Sequence, residues 1–285
     1  MQYMSNSNVL NQSAKDKNFL DGNMKEMRMK NGAVIKIFVT QNVDKQTILF
    51  VPMIKEVDLV YVPLIKHFIN DYRVIVYEPN LSTVKKFGIE DRAKEIISIL
   101  DTLDILQCNI IAWSDTCSTA YCLGKNYPNR CLSITFVGIA DRYILPQPFQ
   151  LLIAVLSKYP LEKVIPSKIS AYFISKCLGG NHISYKWLYD KAKNIPNFTK
   201  LLKFSVIPQL IEHSPAKDEM KVLSKIICGD KDFLADPKRS YKMSALLPNS
   251  YGVDIIKNAE HFFVYINHEE VAFSINRFLN QIKNK

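Results

Sequence analysis

The sequence lacks any long hydrophobic run. Its longest candidate, residues 149–156, falls well short of the ~18 uninterrupted apolar residues that a membrane-spanning helix needs. The opening residues are rich in Asn, Ser, Lys and Gln and lack the apolar segment of a secretory signal. We therefore expect no membrane span and no signal peptide, with a flexible N-terminal tail over residues 1–25.

Cysteine pairs are also missing. The six cysteines, at positions 108, 117, 122, 131, 177 and 228, show neither CxxC spacing nor the density of a disulfide scaffold. Most lie in apolar segments, which indicates buried free thiols in a reducing cytoplasm. The pattern indicates neither a bound metal nor a cofactor.

Basic clusters are absent too, although the net charge is +10, from 37 basic and 27 acidic residues. A nucleic-acid-binding protein would usually concentrate this charge in patches interleaved with aromatic residues. Here the lysines are scattered, so we do not expect nucleic-acid binding. A solvated surface accounts for them, and the alternative is attraction to an anionic partner such as a phosphate-bearing carrier or cofactor.

The 285 residues, 48% of them hydrophobic, suit one globular domain with a sizeable insertion. In the first half, strand-like segments alternate with segments of helical periodicity. Strands are predicted over residues 34–39, 47–51, 72–77, 109–113 and 132–138, with helices over 60–69, 89–103 and 114–126. This alternation predicts a mostly parallel sheet with helices on both faces.

The alternation stops after Asp141. Helix-like segments punctuated by prolines follow, and the strand and helix pattern resumes only at residues 223–228, with a short strand near 253–257 and a last helix over 269–282. We therefore divide the chain into an α/β core, residues 26–140 and 222–285, and an inserted helical cap, residues 141–221.

Chemically suggestive residues follow three of the predicted strands. Residues 112–116 read Ala-Trp-Ser-Asp-Thr, the outline of Gly-x-Ser-x-Gly without its glycines. Asp232 follows Gly229 by three residues, and His261 follows the next strand. Ligands of a parallel sheet bind beyond the carboxyl ends of its strands, so these residues are candidates for one site.

The order serine, acid, histidine resembles that of the α/β-hydrolase family. The resemblance covers about residues 29–282 and rests on segments 51–53 (oxyanion loop), 77–81 (the Asp-x-x-Gly loop), 112–116 (nucleophile elbow), 229–232 (acid loop), 260–262 with 268–271 (histidine loop and last helix) and 140–221 (cap). It implies an α/β-hydrolase fold, with a mostly parallel central sheet flanked by helices and an inserted helical cap.

The resemblance also implies a catalytic triad. Ser114 would be the nucleophile, His261 its base, and Asp232 the carboxylate that orients the imidazole. Asp230 and Asp141 are alternative acids. His268, at the start of the last helix, is expected at the surface.

By the same analogy, the backbone N–H groups of Met53 and Asp115 would bind the oxyanion. Pro52 stands where the family has a glycine and fixes φ near about −65°. In the elbow, Ala112 is a mild replacement for glycine, and β-branched Thr116 is harder to accommodate.

An apolar cap favours an ester or thioester substrate with an apolar acyl group. The predicted pocket residues are Trp113, Phe149, Phe173 and Phe262. Residues 141–220 carry eleven basic and six acidic side chains, an excess that suits an acyl group linked to coenzyme A or a carrier protein. The alternative from another class is a binding or scaffold protein that kept the fold and lost or reduced catalysis.

Overall fold

The computed structural model describes residues 6–52, 60–79, 88–143 and 213–283, with residues 6–14 described by their backbone alone. Met53, Phe149, Phe173 and all of the predicted cap except its two ends lie outside the described residues. The account of the fold below concerns the described ranges.

The strands form one sheet. They are β1 (Lys25–Arg28), β2 (Val34–Val39), β3 (Thr47–Val51), β4 (Arg73–Tyr77), β5 (Cys108–Trp113), β6 (Cys131–Val137), β7 (Ser224–Gly229) and β8 (Ser250–Ile256). Their spatial order is β1-β2-β4-β3-β5-β6-β7-β8. The pairs β1–β2 and β2–β4 are antiparallel, whereas the pairs from β4 through β8 are parallel. The predicted mostly parallel sheet is confirmed.

Helices connect and flank these strands. They are α1 (Asn6–Asn23), α2 (Val62–Phe68), α3 (Ile89–Thr102), α4 (Thr116–Asn126), α5 (Pro237–Leu246), α6 (Phe263–Ile266) and α7 (His268–Lys283), with a short 3-10 turn over Pro128–Arg130. Across the described ranges, none of these helices is long and apolar enough to cross a membrane.

The sheet is buried on both faces. Because successive side chains of a strand point in opposite directions, Phe50 and Ile111 pack in one core cluster with α2 and α7. Leu49 and Ile110 pack in a second cluster with α3 and α4. Every residue of β3 and β5 is buried, which explains why both strands are continuous apolar runs in the sequence.

The N-terminal segment differs from its prediction. Residues 6–23, predicted as part of a flexible tail, form helix α1. Its Asp16 is fully buried, accepting hydrogen bonds from the Tyr265 hydroxyl at 2.7 Å and from Lys66 Nζ at 2.9 Å. Leu20 is 3% exposed in the first core cluster. The helix is held by these docking contacts rather than by an apolar stripe, so its sequence shows little periodicity.

The cysteines within the described residues are free thiols, as predicted. Cys108, Cys117, Cys131 and Cys228 are buried, and Cys122 is partly exposed. The four buried cysteines fill core volume as small apolar side chains, and the Cys117 thiol also donates to the Ala112 carbonyl at 3.3 Å.

Candidate active site

Ser114 occupies the sharp turn between β5 and α4. Its φ of 58° lies in the left-handed region, where a residue with a Cβ is strained. The backbone holds this conformation through a hydrogen bond from Ser114 N to the Val137 carbonyl at 3.0 Å. The turn therefore presents the serine hydroxyl at the carboxyl end of the sheet, as a nucleophile elbow does.

Ser114, His261 and Asp232 form a continuous hydrogen-bonded chain. Ser114 Oγ lies 2.7 Å from His261 Nε2, and His261 Nδ1 lies 2.7 Å from Asp232 Oδ2. The three residues are 6%, 0% and 2% exposed. Because a carboxylate can only accept, Nδ1–H of His261 is assigned as the donor to Asp232, and Nε2 faces the serine hydroxyl.

The acid loop orients Asp232. Its Oδ1 accepts hydrogen bonds from Leu234 N and Ala235 N, both at 3.0 Å. This leaves Oδ2 directed at the imidazole of His261. Two backbone donors on one oxygen fix the plane of the Asp232 carboxyl group.

The two alternative acids have other partners. Asp230 Oδ1 accepts from Ala259 N at 3.1 Å and so holds the histidine loop. Asp141 Oδ1 lies 3.4 Å from Arg239 Nη1. Of the three candidate carboxylates, Asp232 is the one that contacts the His261 ring.

Gly138, at the end of β6, was not singled out from the sequence. Its φ is 69°, and a Cβ there would lie 3.4 Å from His261 Cε1 and 3.5 Å from Asp232 Oδ2. A Cβ would be in ordinary van der Waals contact with both side chains, so it is the positive φ that favours glycine at this position. The signal available in the sequence was a glycine directly after a central strand.

Thr116, which stands in place of the second elbow glycine, bonds to the backbone through its side chain. Its hydroxyl accepts from Trp113 N at 3.0 Å and donates to the Trp113 carbonyl at 2.8 Å. The side chain is fully buried. Thr116 thus satisfies two backbone groups of the strand end beside Ser114, which compensates for its bulk.

Trp113 and Phe262, predicted to line a substrate pocket, lie beside His261, and their place in a pocket stays a prediction. Trp113 is 2% exposed and its Nε1 donates to the His261 carbonyl at 3.0 Å. Phe262 is 4% exposed and packs edge-on against Trp113 with ring centroids 5.5 Å apart. Both belong to the core behind the histidine loop.

Tyr143 and His213 stand at the two ends of the insertion and pack against each other, with ring centroids 5.3 Å apart. Burial raises the pKa of the Tyr143 hydroxyl well above its usual range, so it stays protonated and donates to the Ser114 carbonyl at 2.9 Å. His213 Nε2 bonds to the Ala140 carbonyl at 2.9 Å. Burial lowers the pKa of His213 to about 4, so its ring is neutral at pH 7.

Asp115, the residue after Ser114, is fully buried as the N-cap of α4. Burial raises the pKa of its carboxyl to about 6, and the positive charge of Arg92, 3.5 Å away, opposes that rise. The carboxyl is therefore mainly ionised at pH 7. Of the two predicted oxyanion donors, the Asp115 amide lies at the elbow, and that of Met53 lies outside the described residues.

His268, which follows the histidine loop, makes no hydrogen bond to Ser114, His261 or Asp232. His268, predicted at the surface, is half-buried at the start of α7, and its Nδ1 bonds to the Tyr265 carbonyl at 2.9 Å. Within the described part of the chain, no group of three or more His, Cys, Asp or Glu side chains is placed to hold a metal ion.

Comparison with solved structures shows the fold. The meta-cleavage product hydrolase of Pseudomonas fluorescens superposes with a TM-score of 0.73 at 14% identity, over 90% of this chain and 97% of that one. The enol-lactonase of Burkholderia xenovorans gives 0.70 at 14%, over 90% and 100%. A carboxylesterase of Bacillus subtilis gives 0.73 at 14%, over 96% and 98%.

These structures have the α/β-hydrolase fold, and so does this chain, as its motifs predicted. At 14% identity the likeness concerns the fold alone. No protein-family model matches the sequence, and a search of curated proteins finds no match.

Proposed function

We propose that this chain, which has the α/β-hydrolase fold, is an acyl-transfer enzyme acting on an ester or thioester with an apolar acyl group. Ser114 is the nucleophile, His261 the general base and then the general acid, and Asp232 the carboxylate that orients His261. The observation that carries this proposal is the buried chain of two 2.7 Å hydrogen bonds from Ser114 Oγ through the imidazole to Asp232.

In the acylation step, His261 Nε2 takes the proton of Ser114 as Oγ attacks the substrate carbonyl carbon. Asp232 stabilises the imidazolium that forms and keeps its own charge. The tetrahedral intermediate collapses when the bond to the leaving oxygen or sulfur breaks. His261 returns the proton to that leaving group, which leaves Ser114 acylated.

The acyl-enzyme then meets a second nucleophile. Water, deprotonated by His261, would release the acid, which makes the chain an esterase or thioesterase. A hydroxyl or amine within the acyl group would make it a cyclase, and one on another molecule an acyltransferase. Two structural neighbours are named a carboxylesterase and an enol-lactonase, and these names support the ester class.

The oxyanion loop is where the sequence departs from the family pattern. We propose that the backbone amides of Asp115 and Met53 bind it, although Pro52 replaces a glycine in that loop. Losing one such donor costs about 10²–10³ in rate. A thioester is an activated substrate and needs less stabilisation of the oxyanion than an amide does. A thioester is therefore compatible with this oxyanion loop.

We also propose three features of the substrate, its pocket and its location that the sequence predicts. They are an apolar pocket under a helical cap with Phe149 and Phe173, a substrate linked to coenzyme A or a carrier protein, and a cytoplasmic location. Charge removal at Lys158, Lys163 and Lys168 should weaken binding of a coenzyme A-linked acyl group. Unchanged binding would exclude that use of the basic excess in the cap.

The test of the function is labelling with a fluorophosphonate probe. Ser114 Oγ should displace fluoride and form a stable phosphonyl ester, seen by mass spectrometry as one adduct on the peptide containing Ser114. Ser114→Ala and His261→Ala should abolish labelling, whereas Ser118→Ala, a matched change at a buried serine of the adjoining helix α4, should retain it. Folded protein that stays unlabelled would instead favour a non-catalytic binding or scaffold protein.

A further inference from the structure

The backbone of Ser114 is fixed on both sides of its Cα atom. Its φ of 58° is strained for a residue with a Cβ, and such a conformation persists only where the surrounding structure holds it. Ser114 N donates to the Val137 carbonyl at 3.0 Å, and the Ser114 carbonyl accepts from Cys117 N at 3.0 Å. The same carbonyl accepts from the Tyr143 hydroxyl at 2.9 Å. Of these three contacts, the one from Tyr143 comes from a side chain, 29 residues further along the sequence.

Tyr143 bridges two segments that border the site. Besides the Ser114 carbonyl, its hydroxyl lies 3.5 Å from the Gly138 carbonyl, which is a weaker contact at this distance. Gly138 borders the imidazole, since a Cβ there would lie 3.4 Å from His261 Cε1. The hydroxyl therefore stands where the nucleophile elbow meets the segment that follows β6 beside His261.

The Tyr143 side chain is itself held in place. Its ring packs against that of His213, with centroids 5.3 Å apart. The residues just before it are anchored by hydrogen bonds from side chains to backbone carbonyls: Ser240 Oγ to Ile139 at 2.9 Å, His213 Nε2 to Ala140 at 2.9 Å and Arg239 Nη1 to Arg142 at 3.2 Å. Because both the ring and the chain leading to it are fixed, the hydroxyl reaches the Ser114 carbonyl from a defined direction.

We propose that Tyr143 is a positioning residue, whose hydroxyl holds the Ser114 carbonyl and thereby keeps Ser114 Oγ within hydrogen-bond reach of His261 Nε2. This inference rests on the proposed function. The peptide units on both sides of Ser114 are planar, so holding its N–H and its carbonyl fixes the direction of the Cα–Cβ bond that carries Oγ. The 2.7 Å distance from Oγ to Nε2 leaves little room for a rotation of this backbone, because proton transfer requires that reach. Tyr143 acts through the backbone, and its role needs no contact with the substrate.

The test removes the hydroxyl alone. Tyr143→Phe keeps the ring against His213, and Cys117 N still holds the Ser114 carbonyl, so we expect a partial displacement of Oγ. A misplacement of about 1 Å can cost about 10²-fold in rate. The smaller displacement expected here should lower the rate constant for fluorophosphonate labelling by about tenfold. The endpoint should stay at one adduct per chain, because the protein remains folded and retains Ser114.

Tyr121→Phe is the matched control. The Tyr121 ring also packs against that of His213, with centroids 6.1 Å apart, and its hydroxyl also donates to a backbone carbonyl, that of Ala216 at 3.4 Å. This variant should label within threefold of the wild-type rate. A merely structural loss lowers the fraction of folded protein, which urea denaturation and the endpoint report, and leaves the rate constant of the folded molecules unchanged. An unchanged rate constant in Tyr143→Phe, or the same decrease in both variants, would overturn the inference.

Two non-natural residues, introduced by codon suppression, complete the test. 4-Aminophenylalanine at position 143 restores a donor on the ring and should recover labelling to within threefold of the wild-type rate, whereas no recovery would overturn the inference. Should Tyr143→Phe fail to fold, 4-fluorophenylalanine at position 143 fills the space of the hydroxyl and cannot donate. It should label about tenfold more slowly than the wild type, and an unchanged rate or a second failure to fold would overturn the inference. Wild-type protein that does not react would instead overturn the proposed function, so the two failures are distinguishable.

Discussion

Gly229 lies against the backbone of Ala259 so closely that a Cβ on Gly229 would be 2.1 Å from the Ala259 carbonyl oxygen. The same carbonyl accepts from Lys231 N at 3.0 Å, and Ala259 N donates to Asp230 Oδ1 at 3.1 Å. Acid loop and histidine loop are thus joined by backbone contacts immediately before Asp232 and His261. The glycine of the acid motif is required for this approach.

Gly229→Ala should push the two loops apart. We expect the free energy of unfolding to fall by about 1–3 kcal/mol, as for other overpacked sites. The fluorophosphonate reaction should slow by at least about tenfold, because a shift of about 1 Å between Asp232 and His261 is enough to disturb their geometry. Urea denaturation and labelling kinetics measure the two effects. Gly22→Ala, where a Cβ meets nothing within 4 Å, is the control and should neither lower the free energy of unfolding nor slow the reaction. An unchanged reaction rate in Gly229→Ala would contradict this account.

Asp232→Asn should keep the shape of the site and lose most of its activity. An amide in place of Oδ2 can donate to Nδ1, which favours the wrong imidazole tautomer, and the corresponding change in other serine triads costs about 10⁴ in kcat. Asp230→Asn is the matched change. Its oxygen can still accept from Ala259 N, so activity should fall less than tenfold. Equal losses in the two variants would mean that Asp232 acts only by holding its loop.

Thr116→Val should weaken the elbow without changing its size. It removes the hydroxyl that bonds to both backbone groups of Trp113, which leaves a buried N–H without this acceptor at a cost of about 1–3 kcal/mol. Thr116→Ser retains the hydroxyl and should recover most of the stability and labelling rate. Thermal unfolding and the kinetics of probe labelling measure the two effects. Equal stability and equal labelling rate in Thr116→Val and Thr116→Ser would contradict a role for the hydroxyl.

Much of this fold could be predicted because local patterns and tertiary burial agree. The segments of β2 and β3 are predominantly apolar, and their predicted bounds are those observed. The apolar stripe of α3, predicted over 89–103, ends one residue earlier. The candidate triad could be predicted because serine, acid and histidine each follow a strand, and a parallel sheet gathers such positions at one edge.

The remainder depends on contacts between distant segments. Helix α1 has little apolar periodicity, and it docks through a few individual side chains, among them the buried carboxylate of Asp16 and the apolar side chain of Leu20. Arg92 lies in a helix whose polar residues predict solvent exposure, and only the fold brings it to Pro52. The indole N–H of Trp113 donates to the His261 carbonyl, a partner 148 residues away in the sequence. Local sequence does not encode which of these environments a side chain meets.

His213 should make the protein sensitive to acid. Its pKa is about 4 in the folded state because of burial, against 6.5 for an exposed histidine. Between these values the unfolded chain binds the additional proton. The free energy of unfolding therefore falls as the pH drops from 6.5 towards 4, by up to about 3 kcal/mol, and histidine adds no such dependence above pH 6.5.

The pH dependence of the free energy of unfolding of the wild type does not isolate this effect. Burial raises the pKa of Asp115 to about 6. Protonation of Asp115 therefore stabilises the folded state as the pH falls from 6 towards 4, which opposes the effect of His213. His213→Gln separates the two, since a glutamine amide can still donate to the Ala140 carbonyl. Urea denaturation at pH 7.5, 6.0, 5.0 and 4.5 should show the wild type losing stability relative to the variant as the pH falls. A difference that stays constant across this range would mean that His213 takes up its proton in the folded state as easily as in the unfolded chain.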